Sequence, residues 1–412
     1  MENFKEELLT SLTKYVQIES GSEFDKDTCP STPGQLELAK TLEKDLRNIG
    51  ITEVSIDENG YLFATIPANI DKKVPVIGFL AHMDTYPGFT IGRKVIPQLH
   101  KNYQGGDIIV SKKHNVVISP KNCPALNSVI GHDIITSSGD TLLGTDDKGG
   151  IVIIMAMAKY LMEHPEVKHG KIRIAFTPDE EIGKGSDHFD VKTFGADFAY
   201  TLDGQCGEGI VYENFNAAGI TIDITGVLAH TGYAKGVMQN PVRIASDIVA
   251  AWPENMLPET TCGYEGFVCF NDLKADFEKA TLKAAVRDFT KKGLEDKIAL
   301  VKDIVAKVQK KYSTATFKVE VKEQYQNMAE VIEKNPKVVE LARKAFKDNG
   351  LKPSGEPIRG GTDGARLSFM GLATPNIDAG YSTPHGPFEW ASLDLMNKIV
   401  HALITIVQDN IK

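Results

Sequence analysis

Apolar positions recur at three- and four-residue steps over residues 2–18 and again over 35–49, the period of amphipathic helices. Gly50 follows the second segment and can take the left-handed conformation that closes a helix. The period then changes to two. Residues 53–57 and 61–66 alternate around Glu58-Asn59-Gly60, which predicts a hairpin. VPVIGFLA (74–81) is an unbroken apolar run, the mark of a strand buried on both faces. The stretch 86–140 is rich in Gly, Pro and short β-like pieces and reads as an elaborated loop. A helix is predicted over 147–163, and KIRIAFTP (171–178) and ADFAYTLD (196–203) are further buried strands. Strands separated by helices predict an α/β domain with a mostly parallel sheet.

Near residue 208 the pattern shifts. Residues 210–227 read as β, 240–252 as helix, 266–275 and 280–289 as paired strands, 293–312 as helix and 314–325 as β. That order, βαββαβ, describes a ferredoxin-like α+β unit. Helical periodicity returns at 335–348, a buried strand at 374–380 and a closing helix at 391–411. The expected organisation is therefore one α/β domain in two segments, 1–208 and 329–412, with a smaller domain, 209–328, inserted between them. No internal repeat or low-complexity tract breaks this picture.

Composition removes several classes. Of 412 residues, 42% are apolar and 25% charged, ordinary for a folded globular chain, so disorder and a small disulfide scaffold are excluded. The formal charge of −9 disfavours nucleic-acid or anionic-membrane partners. The five cysteines, Cys29, Cys123, Cys206, Cys262 and Cys269, are scattered and form no C-x-x-C, so free thiols in a reducing compartment are expected. The first residues lack the apolar core of a signal peptide. IVIIMAMA (151–158) is too short to span a bilayer, which takes about 20 residues. The expectation is a soluble, cytoplasmic protein.

Polar residues gather where the apolar runs stop. The strand at 74–81 runs into His82-Met83-Asp84, and alternation sends His82 and Asp84 to the same side. Open α/β sheets bind ligands at the carboxyl ends of their strands. Asp146 and Asp147 stand at the next strand-to-helix junction, where either could cap the helix. Asp179-Glu180-Glu181 follows the strand at 171–176; of the adjacent glutamates, one can bind metal while the other faces a water. Asp203 ends another apolar strand, and His385 lies in a Gly/Pro loop after the strand at 374–379. Together these strand ends offer N and O ligands without sulfur, suited to Zn²⁺, Co²⁺ or Mn²⁺ in an open site. Two divalent ions and a bridging hydroxide would balance the three charges of Asp146, Glu181 and Asp203. His164 and His169 read as solvated, Lys148 as a support for its loop, and His132 and His188 receive no role.

These pieces resemble a known family. AHMDT (81–85), NYQGGDI (102–108), LLGTDDKGG (142–150), TPDEEIG (177–183), GVLAHTGYAKGVMQN (226–240), RDF (287–289), IRGGTDGARLS (358–368) and the His385 loop are similar, in order, to the peptidase T family of tripeptide aminopeptidases. That family lies within the dinuclear zinc exopeptidases and amidohydrolases. The resemblance implies two zinc ions per chain: one on His82, Asp146 and Asp203, the other on Asp146, Glu181 and His385, with Asp146 bridging. It implies that Asp84 orients His82, that Glu180 is the general base, and that His230 on an inserted lid polarises the scissile carbonyl. Asn240, Arg287 and Arg359 would anchor the substrate's backbone and carboxylate. The implied reaction is removal of the N-terminal residue from tripeptides by activated water. A dipeptidase or N-acyl-amino-acid amidohydrolase on the same scaffold is the nearest alternative, and a noncatalytic peptide- or metal-binding relative the next. Members of the group often pair through the inserted domain, so a homodimer is consistent with the resemblance.

Overall fold

The computed structural model describes residues 2–88 and 93–412, so residues 89–92 of the long 86–140 stretch lie outside the description. In chain order the principal elements are α1 (Lys5–Val16), α2 (Pro33–Asn48), β1 (Glu53–Ile56), β2 (Leu62–Ile66), β3 (Ile77–His82), α3 (Thr145–Glu163), β4 (Ile172–Thr177), β5 (Phe198–Gln205), β6 (Asn216–Thr225), α4 (Pro241–Ala250), β7 (Phe267–Ala275), β8 (Lys279–Asp288), α5 (Lys291–Lys311), β9 (Thr316–Tyr325), α6 (Pro336–Asp348), β10 (Asn376–Ser382) and α7 (Leu393–Asp409). They fall into two compact units. The first comprises Met1–Tyr212, Glu330–Glu356 and Thr362–Lys412, the second Glu213–Ala329 and Pro357–Gly361.

The first unit is built on a large mixed sheet whose central strands run β4-β3-β5-β10. These four are mutually parallel. Every residue of β3 and β10 is buried, as expected of strands covered on both faces. On one side the hairpin of β1 and β2 continues the sheet, antiparallel to β4. On the other side β10 pairs with Trp390–Ser392, which pairs with Ile134–Thr136 and then Gln98–His100. The stretch read as an elaborated loop thus contributes strands to the main sheet. Three-residue strands carry too little period to be seen in sequence. Helix α3 packs on β3 and touches α1 and α7. The run 151–158 is buried throughout, so its apolarity belongs to an interior helix. Among the described residues no helix is long and apolar enough to cross a membrane.

The second unit has its own sheet, in the order β7-β8-β6-β9, with every neighbouring pair antiparallel. Alternate residues of β6, including Ile220, Ile222 and Ile224, join Ile244 and Ile248 of α4 and Val301 and Val305 of α5 in one apolar core. Helix α4 begins at Pro241, whose missing N–H costs nothing at that position, and Asn240 caps it by accepting from the Val242 N–H at 3.0 Å.

Candidate active site

Parallel strands end side by side, so β3, β4, β5 and β10 carry their polar termini to one edge of the first unit. His82 is the last residue of β3, in register with Thr177 at the end of β4. Asp179, just beyond, has a left-handed backbone (φ 57°) and is held by hydrogen bonds from Ser31 and Gln35. It sets the turn that carries Glu180 and Glu181. Asp84 fixes the same turn from the other side: its two oxygens accept the backbone N–H groups of Glu180 and Glu181, each at 3.0 Å. The Asp84 carboxylate is also 3.3 Å from His82 Nδ1, and its backbone carbonyl is 3.0 Å from that nitrogen. Asp84 therefore orients the two glutamates as well as the histidine.

Asp146 occupies the centre. One carboxylate oxygen lies 3.0 Å from His82 Nε2 and the other 3.2 Å from His385 Nε2. Asp203 Oδ1 is 3.7 Å from His82 Nε2 and accepts the Tyr381 hydroxyl at 3.0 Å. Glu181 Oε2 is 2.9 Å from His385 Nε2. The helix-capping reading belongs to Asp147: it accepts from Gly150 N at 3.1 Å and from His82 N at 3.2 Å. His385 sits at the open edge, its side chain 42% exposed, and stacks on Tyr86 with ring centroids 4.3 Å apart.

Electrostatics follow from burying many carboxylates against two imidazoles. Burial pushes the Glu180 carboxyl well above its usual range, and Asp203 adds to the effect. Burial, reinforced by Asp146, raises Glu181 to about 7. Burial likewise raises Asp203. It opposes ionisation of Asp146 too, but His385 and His82 outweigh it and hold that carboxyl low. At His385 burial disfavours charge, yet hydrogen bonds to Asp146 and Glu181 raise its value to about 10. His82 is raised for the same reason by Asp146, Asp203 and Asp84, against burial.

The residues fit metal. His82, Asp146 and Glu181 present ligand atoms within 4.8 Å of one another, as do His82, Glu180 and Asp203. Glu181 Oε1 is buried without a hydrogen-bond partner, an oxygen whose burial is costly unless a cation meets it. All donors are N or O, and excess carboxylate suits divalent cations.

His82, Asp84, Asp146, Glu180, Glu181, Asp203 and His385 are thus brought together in the first unit. His230, Asn240, Arg287 and Arg359 all belong to the second. His230 is exposed and accepts from Gly232 N at 3.2 Å. Asn240 is the helix cap described above. Arg287 donates to its neighbours' carbonyls on Ala218 and Val286 and lies over the Tyr325 ring. Arg359 donates to the Gly263 and Glu265 carbonyls and to Thr261. Each has local partners within its own unit. Elsewhere, Lys148 is buried and donates to the Ile18 carbonyl at 2.9 Å, the supporting role read for it. All five cysteines are free. His169, read as solvated, is instead 2% exposed and bonded to the Gly170 carbonyl, because its segment tucks under Asn69.

Three participants escaped the sequence reading: Tyr86, Tyr381 and Glu389. The Glu389 carboxylate is buried and accepts backbone N–H groups from Leu143, Gly144, Thr145 and Asp146, plus the Thr145 hydroxyl. Its only sequence signal is its place four residues after His385.

A family model described as Peptidase family M20/M25/M40 matches residues 141–409 and defines the class of protein. A relative from Geobacillus sp. (strain WCH70), named Peptidase T, is 49% identical over 98% of each chain. The chain belongs to the peptidase T group of that peptidase family. Its fold is similar to that of the aminopeptidase PepT from Bacillus cereus ATCC 10987, with a TM-score of 0.77 at 23% identity over 99% of each chain. It is also similar to that of a tripeptidase from Staphylococcus aureus, with a TM-score of 0.77 at 20% identity, covering 99% of this chain and 98% of the other.

Proposed function

We propose that this chain is a metallo-aminopeptidase that releases the N-terminal residue from tripeptides. The observation that carries the reading is Asp146 between His82 and His385, one oxygen toward each, with Glu180 alongside. In this reading His82, Asp146 and Asp203 hold one divalent ion and Asp146, Glu181 and His385 a second. Zinc is the proposed native metal, with Co²⁺ or Mn²⁺ as substitutes. Bound there, the ions supply Lewis acidity toward a carbonyl oxygen and a lowered pKa for a water.

Glu180 takes a proton from the attacking water and returns it to the leaving amine. In the metal-free chain desolvation and the neighbouring Asp203 disfavour its charged form. Asp84 holds the Glu180 and Glu181 backbone so that one side chain serves as ligand and the other as base. The second unit, Glu213–Ala329 with Pro357–Gly361, acts as a lid that supplies His230 to the scissile carbonyl oxygen, with Asn240, Arg287 and Arg359 as substrate anchors. Substrates are short peptides, the compartment is the cytoplasm, and the working form is a homodimer.

The test is hydrolysis of trialanine against dialanine and N-acetyl-trialanine, with and without chelator. A site that reads both ends of a tripeptide rejects ligands that leave a buried polar group unpaired. Efficient, chelator-sensitive cleavage of trialanine alone is expected. Comparable kcat/KM on dialanine or the N-acetylated peptide would move the chain to the dipeptidase or amidohydrolase reading.

A further inference from the structure

Glu389 is 1% exposed and spends both carboxylate oxygens on one turn. Oε2 accepts from Leu143 N at 2.8 Å and Gly144 N at 2.9 Å; Oε1 accepts from Thr145 N at 2.6 Å, Asp146 N at 3.0 Å and Thr145 Oγ1 at 2.6 Å. Those N–H groups belong to the turn that leads into α3: Leu143 and Gly144 precede the helix, and Asp146 still has a non-helical backbone (ψ 102°), so none has an intrahelical partner. Inside the helix Asp147 accepts the later Gly150 N–H; the four earlier groups are served by a single carboxylate distant in sequence.

The backbone around Glu389 is equally constrained. Thr383 and His385 both have left-handed backbones, at φ 52° and 68°, a conformation that costs about 1–3 kcal/mol for residues other than glycine. Such residues persist only where their surroundings hold them. The Thr383 hydroxyl donates to the Phe388 carbonyl at 2.5 Å, Glu389 N donates to Gly386 O at 3.3 Å, and Trp390 enters the sheet against Thr136. The loop is pinned at its base by Glu389 and at its tip by the Tyr86 stack.

We infer that Glu389 is a positioning residue that locks the Asp146 turn to the His385 loop and so sets the spacing of two metal ligands. Resting on the metal reading above, this inference assigns metal affinity, rather than substrate binding, as the property Glu389 controls. Groups that orient metal ligands typically contribute 10–100-fold in affinity. Gln has the same shape but one acceptor oxygen, and its NH₂ would face N–H donors.

The full chain, stripped of metal and titrated with Co²⁺, reports affinity and the visible ligand-field spectrum together. We expect Glu389→Gln to bind Co²⁺ about 10–100-fold more weakly, with an altered spectrum. At saturating Co²⁺ its KM for trialanine should equal that of the unsubstituted chain. Affinity and spectrum within about twofold of the parent would overturn the inference, even if stability fell. Thr145→Val removes one of the five bonds and should weaken Co²⁺ several-fold. If Glu389→Gln does not fold, unchanged Co²⁺ affinity in Thr145→Val overturns the inference by itself. An unsubstituted chain that cleaves trialanine yet binds no Co²⁺ would instead sink the metal reading, and this inference with it.

Discussion

Replacing Asp84 with Asn removes a charge while keeping shape, and the structure states what is lost. The two Asp84 oxygens serve two backbone donors, Glu180 N and Glu181 N, and one of them also faces His82 Nδ1. Asn offers one oxygen, so one N–H must face an NH₂ group. Asp84 is fully buried, and no water-exposed route compensates the orphaned donor. A buried unsatisfied N–H costs about 1–3 kcal/mol, and hydrogen bonds to charged groups contribute roughly 1.5–3 kcal/mol. A destabilisation of about 2–4 kcal/mol is therefore expected, read from urea unfolding at fixed metal concentration. The turn also aims Glu180, and a displacement on the order of 1 Å can cost about 10²-fold in rate. Steady-state cleavage of trialanine by Asp84→Asn, at saturating metal, should show kcat down by about that factor. If kcat stayed within about twofold of the parent while stability fell as expected, Asp84 would hold the fold and nothing of the chemistry.

Other outcomes follow from the same geometry. Glu180→Gln should keep its metal and lose about 10²–10⁴-fold in kcat, whereas Glu181→Ala should lose metal first, as element analysis after dialysis would show. His230→Ala should lower kcat by about 10²–10³-fold with metal content unchanged; an unaltered kcat would leave His230 a local residue of its unit. With metal removed, His385 has a folded value of about 10 against 6.5 as its ordinary one, so its ion pairs stabilise fully below about 6.5 and that contribution fades as pH rises through about 10. Metal must displace those protons, so calorimetry near pH 7 in buffers of different ionisation enthalpy should record proton release on binding, and affinity should rise with pH.

The parts of the site that were readable lie where a strong pattern meets a chemical residue. β3 is six buried residues ending in His82, so the apolar run itself points to this proposed ligand. β4 and β5 announce Glu180, Glu181 and Asp203 in the same way. The choice between Asp146 and Asp147 needed the resemblance, because both are buried acids at a helix start and only their partners differ. Glu389 was invisible for the opposite reason. An acid in a Gly/Pro loop reads as solvated, and its donors lie more than 240 positions away in the chain. In the structure Asn240 Oδ1 accepts the Val242 N–H, a helix-cap role that the sequence reading did not assign to it. Pro357–Gly361 groups with the second unit through contacts such as Ile358 N to Glu213 O, pairings that no local pattern encodes.

The strand order carries a consequence for how the chain is made. β5 and β10 lie side by side, yet the whole second unit is encoded between them. During synthesis β3, β4 and β5 are therefore made well before β10, with the intervening unit between them. Pairings of such sequence separation carry a large loop-closure cost and form late. His385 follows β10, so it joins His82 and Asp146 only when almost all of the chain has left the ribosome. The ligand set proposed above is therefore incomplete for most of synthesis. On the metal reading, capture of the ions is a closing step of assembly, and the edge of β5 lacks its neighbour β10 until then.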